Sequence, residues 1–247
     1  MKTGTVLWDG RFNNMTSSEE LADWSWSNQI GSYQYYIHGT SNVTSYVNLD
    51  SAYRNPADSS SKQGAKITID DTSIWNSDTY WRTELIPQTS AAINEGTVYY
   101  HFSMKRSDTN APSKTNEHQV AFFESHFTEM KYGWISGESG DSDGYLRWEV
   151  GSESKWNVTW EADVWHNIAY EIDFSGSTVT FHHSTGSADL VKTAGPFDAD
   201  TSSNGADWHL GVLRLTRDGY TSDAAEDWFF SGVYVESGEL TTSVTGP

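Results

Sequence analysis

No cysteine occurs in this chain, so no disulfide framework supports it. A length of 247 residues is nevertheless enough to bury a sizeable core without such staples. Basic residues are scarce: 15 Lys and Arg stand against 34 Asp and Glu, for a formal charge of −19. That balance excludes a nucleic-acid partner, because phosphate binding needs an excess of cations. It also weighs against a polyanionic substrate unless a local basic pocket overrides the net charge. No apolar run approaches a membrane span. Proline is rare, with five in the chain, and no linker or composition break divides it, so residues 1–247 are expected to form a single domain and a monomer. Motifs for phosphate loops, dinucleotides, nucleophilic serines and zinc are missing, as is EF-hand spacing in the acidic stretch 136–144, so no cofactor and no metal are expected.

What is present is aromatic: 12 Trp and 13 Tyr, a content that suits a large core plus a stacking surface. Sugar rings offer apolar faces to such a surface, which makes a carbohydrate the natural ligand class. Short runs of strand character recur between Ser, Thr, Asn, Asp and Gly clusters, the pattern of an all-β sandwich. In "TVYYHFSMKR" (97–106), Val98, Tyr100, Phe102 and Met104 share one face. "NIAYEIDFSGSTVTFHHST" (167–185) reads as a hairpin about Ser175 and Gly176, whose adjacent His182 and His183 must face opposite ways. One short helix is expected in "SSEELADWSW" (17–26), capped by Ser17 or Ser18. These elements predict a β-jelly roll of two antiparallel sheets, the concave sheet forming a substrate cleft.

Two strands carry candidate chemistry. In "YWRTELIPQ" (80–88), Arg82 and Glu84 lie side by side on one face, either a surface ion pair or a charged pair on a cleft floor. In "HQVAFFESHF" (118–127), read as one continuous strand, His118, Val120, Phe122, Glu124 and His126 share a face, with Glu124 set among phenylalanines. Two carboxylates on neighbouring strands are the minimum equipment for glycosidic hydrolysis: one protonates the leaving oxygen, the other activates water or attacks the anomeric carbon. Burial suits Glu124 to the acid role and Arg82 keeps Glu84 ionised as the base, although the histidines nearby are able to reverse the assignment. Lys131, Tyr132 and Trp134 follow on the next strand, where Tyr132 and Trp134 either stack on sugar or join the core. His209 in "DWHLGVLRL" points to a cleft, because Gly211 on the same face leaves room for a ligand. Sequons at Asn14, Asn42 and Asn157 mark glycosylation acceptors. With an N-terminus lacking a signal-peptide core, they suggest a mature secreted chain in which Met1 stands where a leader was removed.

Several long segments together resemble fungal glycoside hydrolase family 131, among them "LWDGRF", "WSWSNQIG", "RTELIPQT", "TNEHQVAFFESHFTEMKYGWISGE", "TSSNGADWHLGVL" and "EDWFFSGVYVESG". The likeness runs essentially from Thr5 to Pro247. It implies a secreted β-jelly-roll glucanase acting on β-1,3, β-1,4 and β-1,6 linkages with inversion, without the cellulose-binding module that some members carry. It also implies that Glu84 and Glu124 are the catalytic carboxylates and that Arg82 lies in the site. A similar strand occurs in alginate and glucuronan lyases, whose Tyr-Phe-Lys-x-Gly segment corresponds in position to "DWHLG", with His209 in place of the lysine. Two alternatives stand beside the hydrolase. One is a polyuronate lyase with a Tyr or His base and Arg82 neutralising the uronate. The other is a glucan-binding lectin.

Overall fold

The computed structural model describes residues 4–76, 79–222 and 224–247. Its strands are β1 (Thr5–Asp9), β2 (Tyr33–Ile37), β3 (Val47–Asp50), β4 (Gly64–Ile69), β5 (Trp81–Pro87), β6 (Thr97–Lys105), β7 (His118–Phe123), β8 (Thr128–Tyr132), β9 (Tyr145–Val150), β10 (Glu153–Thr159), β11 (His166–Asp173), β12 (Thr178–Thr185), β13 (Val191–Asp198), β14 (Trp208–Arg214) and β15 (Glu226–Ser237). They form two antiparallel sheets of a β-jelly roll. One runs β13-β12-β11-β6-β15-β4-β3, with β1 added on β15, and the other runs β10-β9-β8-β7-β14-β5-β2. The expected helix is a 3-10 segment, Ser18–Asp23, closed by a reciprocal capping box between Ser17 and Glu20. Trp24 and Trp26 lie beyond it.

Alternation builds the core as the sequence predicts. Val98, Tyr100, Phe102 and Met104 of β6 meet Val120, Phe123, Trp208, Leu210 and Val212 of the other sheet. The β11–β12 hairpin pairs in register from His166↔Thr185 to Asp173↔Thr178 around the expected turn. Its two adjacent histidines diverge: His182 bonds Glu171 at 2.6 Å, while His183 bonds His166 at 3.0 Å. His101 faces away from the core, where it meets Glu236 at 3.0 Å and is covered.

The reading of 118–127 as one alternating strand fails first at Ala121 and again at Phe123, where the strand ends. Ala121 adopts a left-handed φ of 47°, and the β7–β14 register slips between His209 and Val212. A bulge of this kind places two residues opposite one and reverses every side chain beyond it. Phe122 therefore pairs with His209 on the concave face, whereas Val120 pairs with Val212 in the core. Gly211 sits in the same bulge at φ 147°, and a Cβ there would stand 2.3 Å from the Thr83 carbonyl oxygen. The glycine thus serves the close approach of β14 to β5 rather than clearing space for a ligand.

The His166–His183 pair gives the fold an acid-side liability. Burial pushes both imidazoles down to about 4, and for His183 the neighbouring His166 adds to the effect. Each is depressed below its unfolded value near ~6.5, so the folded state binds fewer protons than the unfolded one between those limits. Stability from the pair is complete above pH ~6.5 and is lost as pH falls toward 4. Urea midpoints should decline across that window, and the double variant His166→Asn/His183→Gln should flatten the decline by on the order of 2 kcal/mol or more. An unchanged slope would mean that the two imidazoles are not buried neutral.

Candidate active site

Strands β5, β14 and β7 lie side by side in the concave sheet and carry the charged residues inward to its groove. On β5, alternation sends Thr83 and Leu85 to the core and Arg82 and Glu84 to the groove floor. The Arg82 guanidinium donates to both Glu84 oxygens, from Nε at 2.6 Å and from Nη2 at 2.9 Å. His209 on β14 adds a third bond, its Nδ1 lying 2.5 Å from Glu84 Oε2. Glu84 itself has no exposed surface. Burial raises its carboxyl, but the hydrogen bonds from His209 and Arg82, together with the Arg82 charge, outweigh that cost and hold it below the usual glutamate range.

Glu124 is not in a strand. β7 ends at Phe123, and Glu124 begins a turn anchored by its N–H donating to the Asp207 carbonyl at 3.0 Å. Its side chain is 66% exposed and approaches His209 Nε2 to 3.3 Å. The expected setting of Glu124 among phenylalanines is therefore overturned: Phe123 and Phe127 go to the core, and Phe122 lies beneath two imidazoles. His209 stacks on one side of Phe122 with centroids at 4.7 Å, and His126 on the other at 5.3 Å. One imidazole thus stands between the two carboxylates, touching Glu84 with one nitrogen and Glu124 with the other.

His126 also reaches Glu129 on β8 at 3.2 Å, a bond that raises its imidazole. Lys131, on the same face of β8, sits among three carboxylates: Glu117 at 2.7 Å, Glu149 at 3.5 Å and Glu129 at 3.8 Å. Burial opposes its charge, yet those acids raise its ammonium. The groove therefore continues from Glu84 through Glu124 to a charged patch on β8 and β9.

Two expected binding residues are corrected. His118 points into the body of the protein, fully buried, and bonds Glu226 of the opposite sheet at 2.7 Å. Tyr132 is likewise core, packed edge-on against Trp160 and Trp228. The bulge at Ala121 explains His118, and the pairing His118↔Tyr132 carries Tyr132 with it. Trp134 leaves the strand after Gly133, and the Arg217 guanidinium covers its ring at 3.5 Å. Sequence reasoning passed over Glu117, Glu129 and Glu149, and also a run of rings leading toward the Arg82–Glu84 pair: Trp26, Trp24, Tyr36 and Trp75. Spacing along the chain gives no sign of these, because they meet only when β2 and β5 pair.

Known proteins show the same architecture. The family described as "Glycoside hydrolase 131 catalytic N-terminal domain" matches residues 6–241. The chain is similar to the crystal structure of a GH131 β-glucanase catalytic domain from Podospora anserina. They share 64% identity at a TM-score of 0.97, covering 98% of this chain and 100% of that one. It is also similar to the glycoside hydrolase family 131 catalytic domain from Coprinopsis cinerea, at 47% identity and a TM-score of 0.91, covering 97% and 98%. An alginate lyase of polysaccharide lyase family 7 shares the fold at 13% identity and a TM-score of 0.54, covering 83% of this chain and 93% of its own. No curated protein sequence matches the chain.

Proposed function

The chain belongs to glycoside hydrolase family 131, and from that premise we propose that it cleaves β-glucan at the array Glu84–His209–Glu124. The single observation that carries this reading is His209 bridging a buried carboxylate held ionised and a carboxyl open to the groove. The Podospora relative's description as a β-glucanase supplies the substrate class.

Each group has a role suited to its setting. Glu84, ionised and bonded to Nδ1 of His209, keeps the Nδ1 proton in place and leaves Nε2 as the acceptor facing the groove. The Glu84–His209 unit then serves as the base side, drawing a proton from the attacking water through Nε2. Glu124, exposed and unencumbered by a guanidinium, gives its proton to the departing glycosidic oxygen. Inversion, which the resemblance to the family implies, requires the base and the acid to act from opposite faces of the sugar ring. In this scheme one water is consumed per bond cleaved.

A lyase would need a cation for the uronate carboxylate, and the Arg82 Nε and Nη2 are already committed to Glu84. Incubation with β-1,3-, β-1,4- and β-1,6-glucans should release reducing sugar without an ultraviolet-absorbing unsaturated product. That absorbing product from a polyuronate, or tight binding with no product, would replace the proposal with the lyase or the lectin respectively. Secretion belongs to the same proposal, supported by the exposure of Asn14, Asn42 and Asn157 at the surface. A single catalytic domain is supported by the family match running from residue 6 to 241.

A further inference from the structure

Trp26 is 66% exposed, the largest side chain left so open among the described residues. A lone exposed tryptophan on a loose loop would mean little. This one is held rigidly. Ser25 and Asn28 exchange two backbone hydrogen bonds, at 3.1 and 2.9 Å, and Asn28 Nδ2 donates to the Asp23 carbonyl at 2.8 Å. Trp24, buried behind, bonds Gln88 through its indole N–H. The tight turn therefore presents the Trp26 ring in a fixed place.

The ring also belongs to a continuous series. Trp26 lies 5.0 Å from both Trp24 and Tyr36. Tyr36 lies 6.2 Å from Trp75, and the Arg82 guanidinium sits over Trp75 at 5.1 Å. Aromatic surface thus runs without interruption from the outer edge of the groove to the ion pair at its floor. Burial first, then the charges of Glu84 and Glu124, raise the Tyr36 phenol, which places that ring within the field of both carboxylates. On the far side of Glu124, β8 and β9 instead carry the buried charged cluster of Glu129, Lys131 and Glu149. The two ends are chemically unlike: one is a hydrophobic ledge and the other a charged floor.

We propose that Trp26, backed by Trp24 and Tyr36, is a stacking subsite for a glucosyl unit remote from the cleaved bond, so that longer glucan chains are held at the β2 edge. The inference rests on the proposed β-glucan hydrolysis and adds a position to it. An amphipathic pyranose presents an apolar face to a ring and keeps its hydroxyls in water, and a preset ring binds it with little ordering cost. The occupant is a neutral hexose in a chain continuous with the catalytic groove, not a protein.

The test compares a ladder of β-gluco-oligosaccharides. For wild type, KM should fall as the chain grows long enough to reach Trp26. In Trp26→Ala that gain should disappear, with KM for the longer substrates raised about ten- to thirty-fold, the loss falling on KM rather than kcat. Trp26→Phe should recover most of it. Titration of a long oligosaccharide into Glu124→Gln protein, with and without Trp26→Ala, should show the same change in Kd without turnover. If wild type cleaves the ladder but Trp26→Ala keeps its length dependence and its Kd, the subsite is wrong and the hydrolase reading stands. If wild type cleaves no member of the ladder, the hydrolase reading fails and the subsite with it.

Discussion

Glu124→Gln should lower kcat on β-glucan by a factor of about 10²–10⁴, the usual worth of a positioned general acid. The folded state should hardly notice. Glu124 lies in a turn, 66% exposed, and the turn is pinned by its backbone bond to Asp207, which the amide leaves in place. A stability change within about 0.5 kcal/mol is expected for a surface substitution of this kind. The separation of effects matters because glutamine keeps the size and hydrogen-bonding reach of the side chain and removes only its titratable proton. Thermal unfolding and steady-state kinetics on the same preparation check it. A variant as active as wild type would remove Glu124 from the reaction. An inactive variant that is also unfolded would contradict the exposed, weakly packed setting of the residue.

Arg82→Ala should do the opposite, striking the fold as well as the activity. Glu84 is fully buried and ionised, and Arg82 supplies two of its three hydrogen bonds. Leaving a buried carboxylate with half its partners typically costs about 3–5 kcal/mol, far more than the net worth of the intact pair. The remedy is to remove the charge as well. Arg82→Ala/Glu84→Gln should recover a substantial part of the lost stability, because an amide is cheaper to leave in a low-dielectric interior than a carboxylate. Activity should not return, since neither the ionised Glu84 nor the oriented His209 is restored. Denaturant midpoints for the two variants decide the matter: equal destabilisation in the single and double variants would mean that Glu84 is not carrying a buried charge. Recovery of activity along with stability would mean that Glu84 has no part in the chemistry.

The contrast between those variants reflects how the sequence encodes the two glutamates. Arg82-x-Glu84 is a local pattern: strand alternation puts both on one face, and the ion pair follows from adjacency on that face. Alternation likewise yields the β6 core face and the β11–β12 hairpin. The surroundings of Glu124 are not legible in the same way, because Ala121 takes a left-handed conformation with no glycine or asparagine to announce it and the strand then ends at Phe123. The signal is on the other strand, in Gly211, whose missing Cβ permits the bulge; read alone it suggests ligand space. From that single slip comes the misplacement of His118 and Tyr132, both of which the true register carries into the core. His209 is legible as groove-facing, but its bridging of two carboxylates is not, since residues 84, 124 and 209 meet only through sheet pairing. The same limit hides the Trp26–Tyr36–Trp75 ledge: "WSWSNQ" declares tryptophan, not which ring is left open.

The proposed chemistry turns on Glu124 as acid and the Glu84–His209 unit as base, and the stereochemistry of the first product tells direct attack by water from a covalent intermediate. Anomer-resolved NMR, recorded within the first minutes of hydrolysis of a soluble β-glucan, should show the new reducing end appearing as the α-anomer before mutarotation mixes it. First appearance of the β-anomer would mean a covalent intermediate, and would contradict the roles assigned to Glu84, His209 and Glu124.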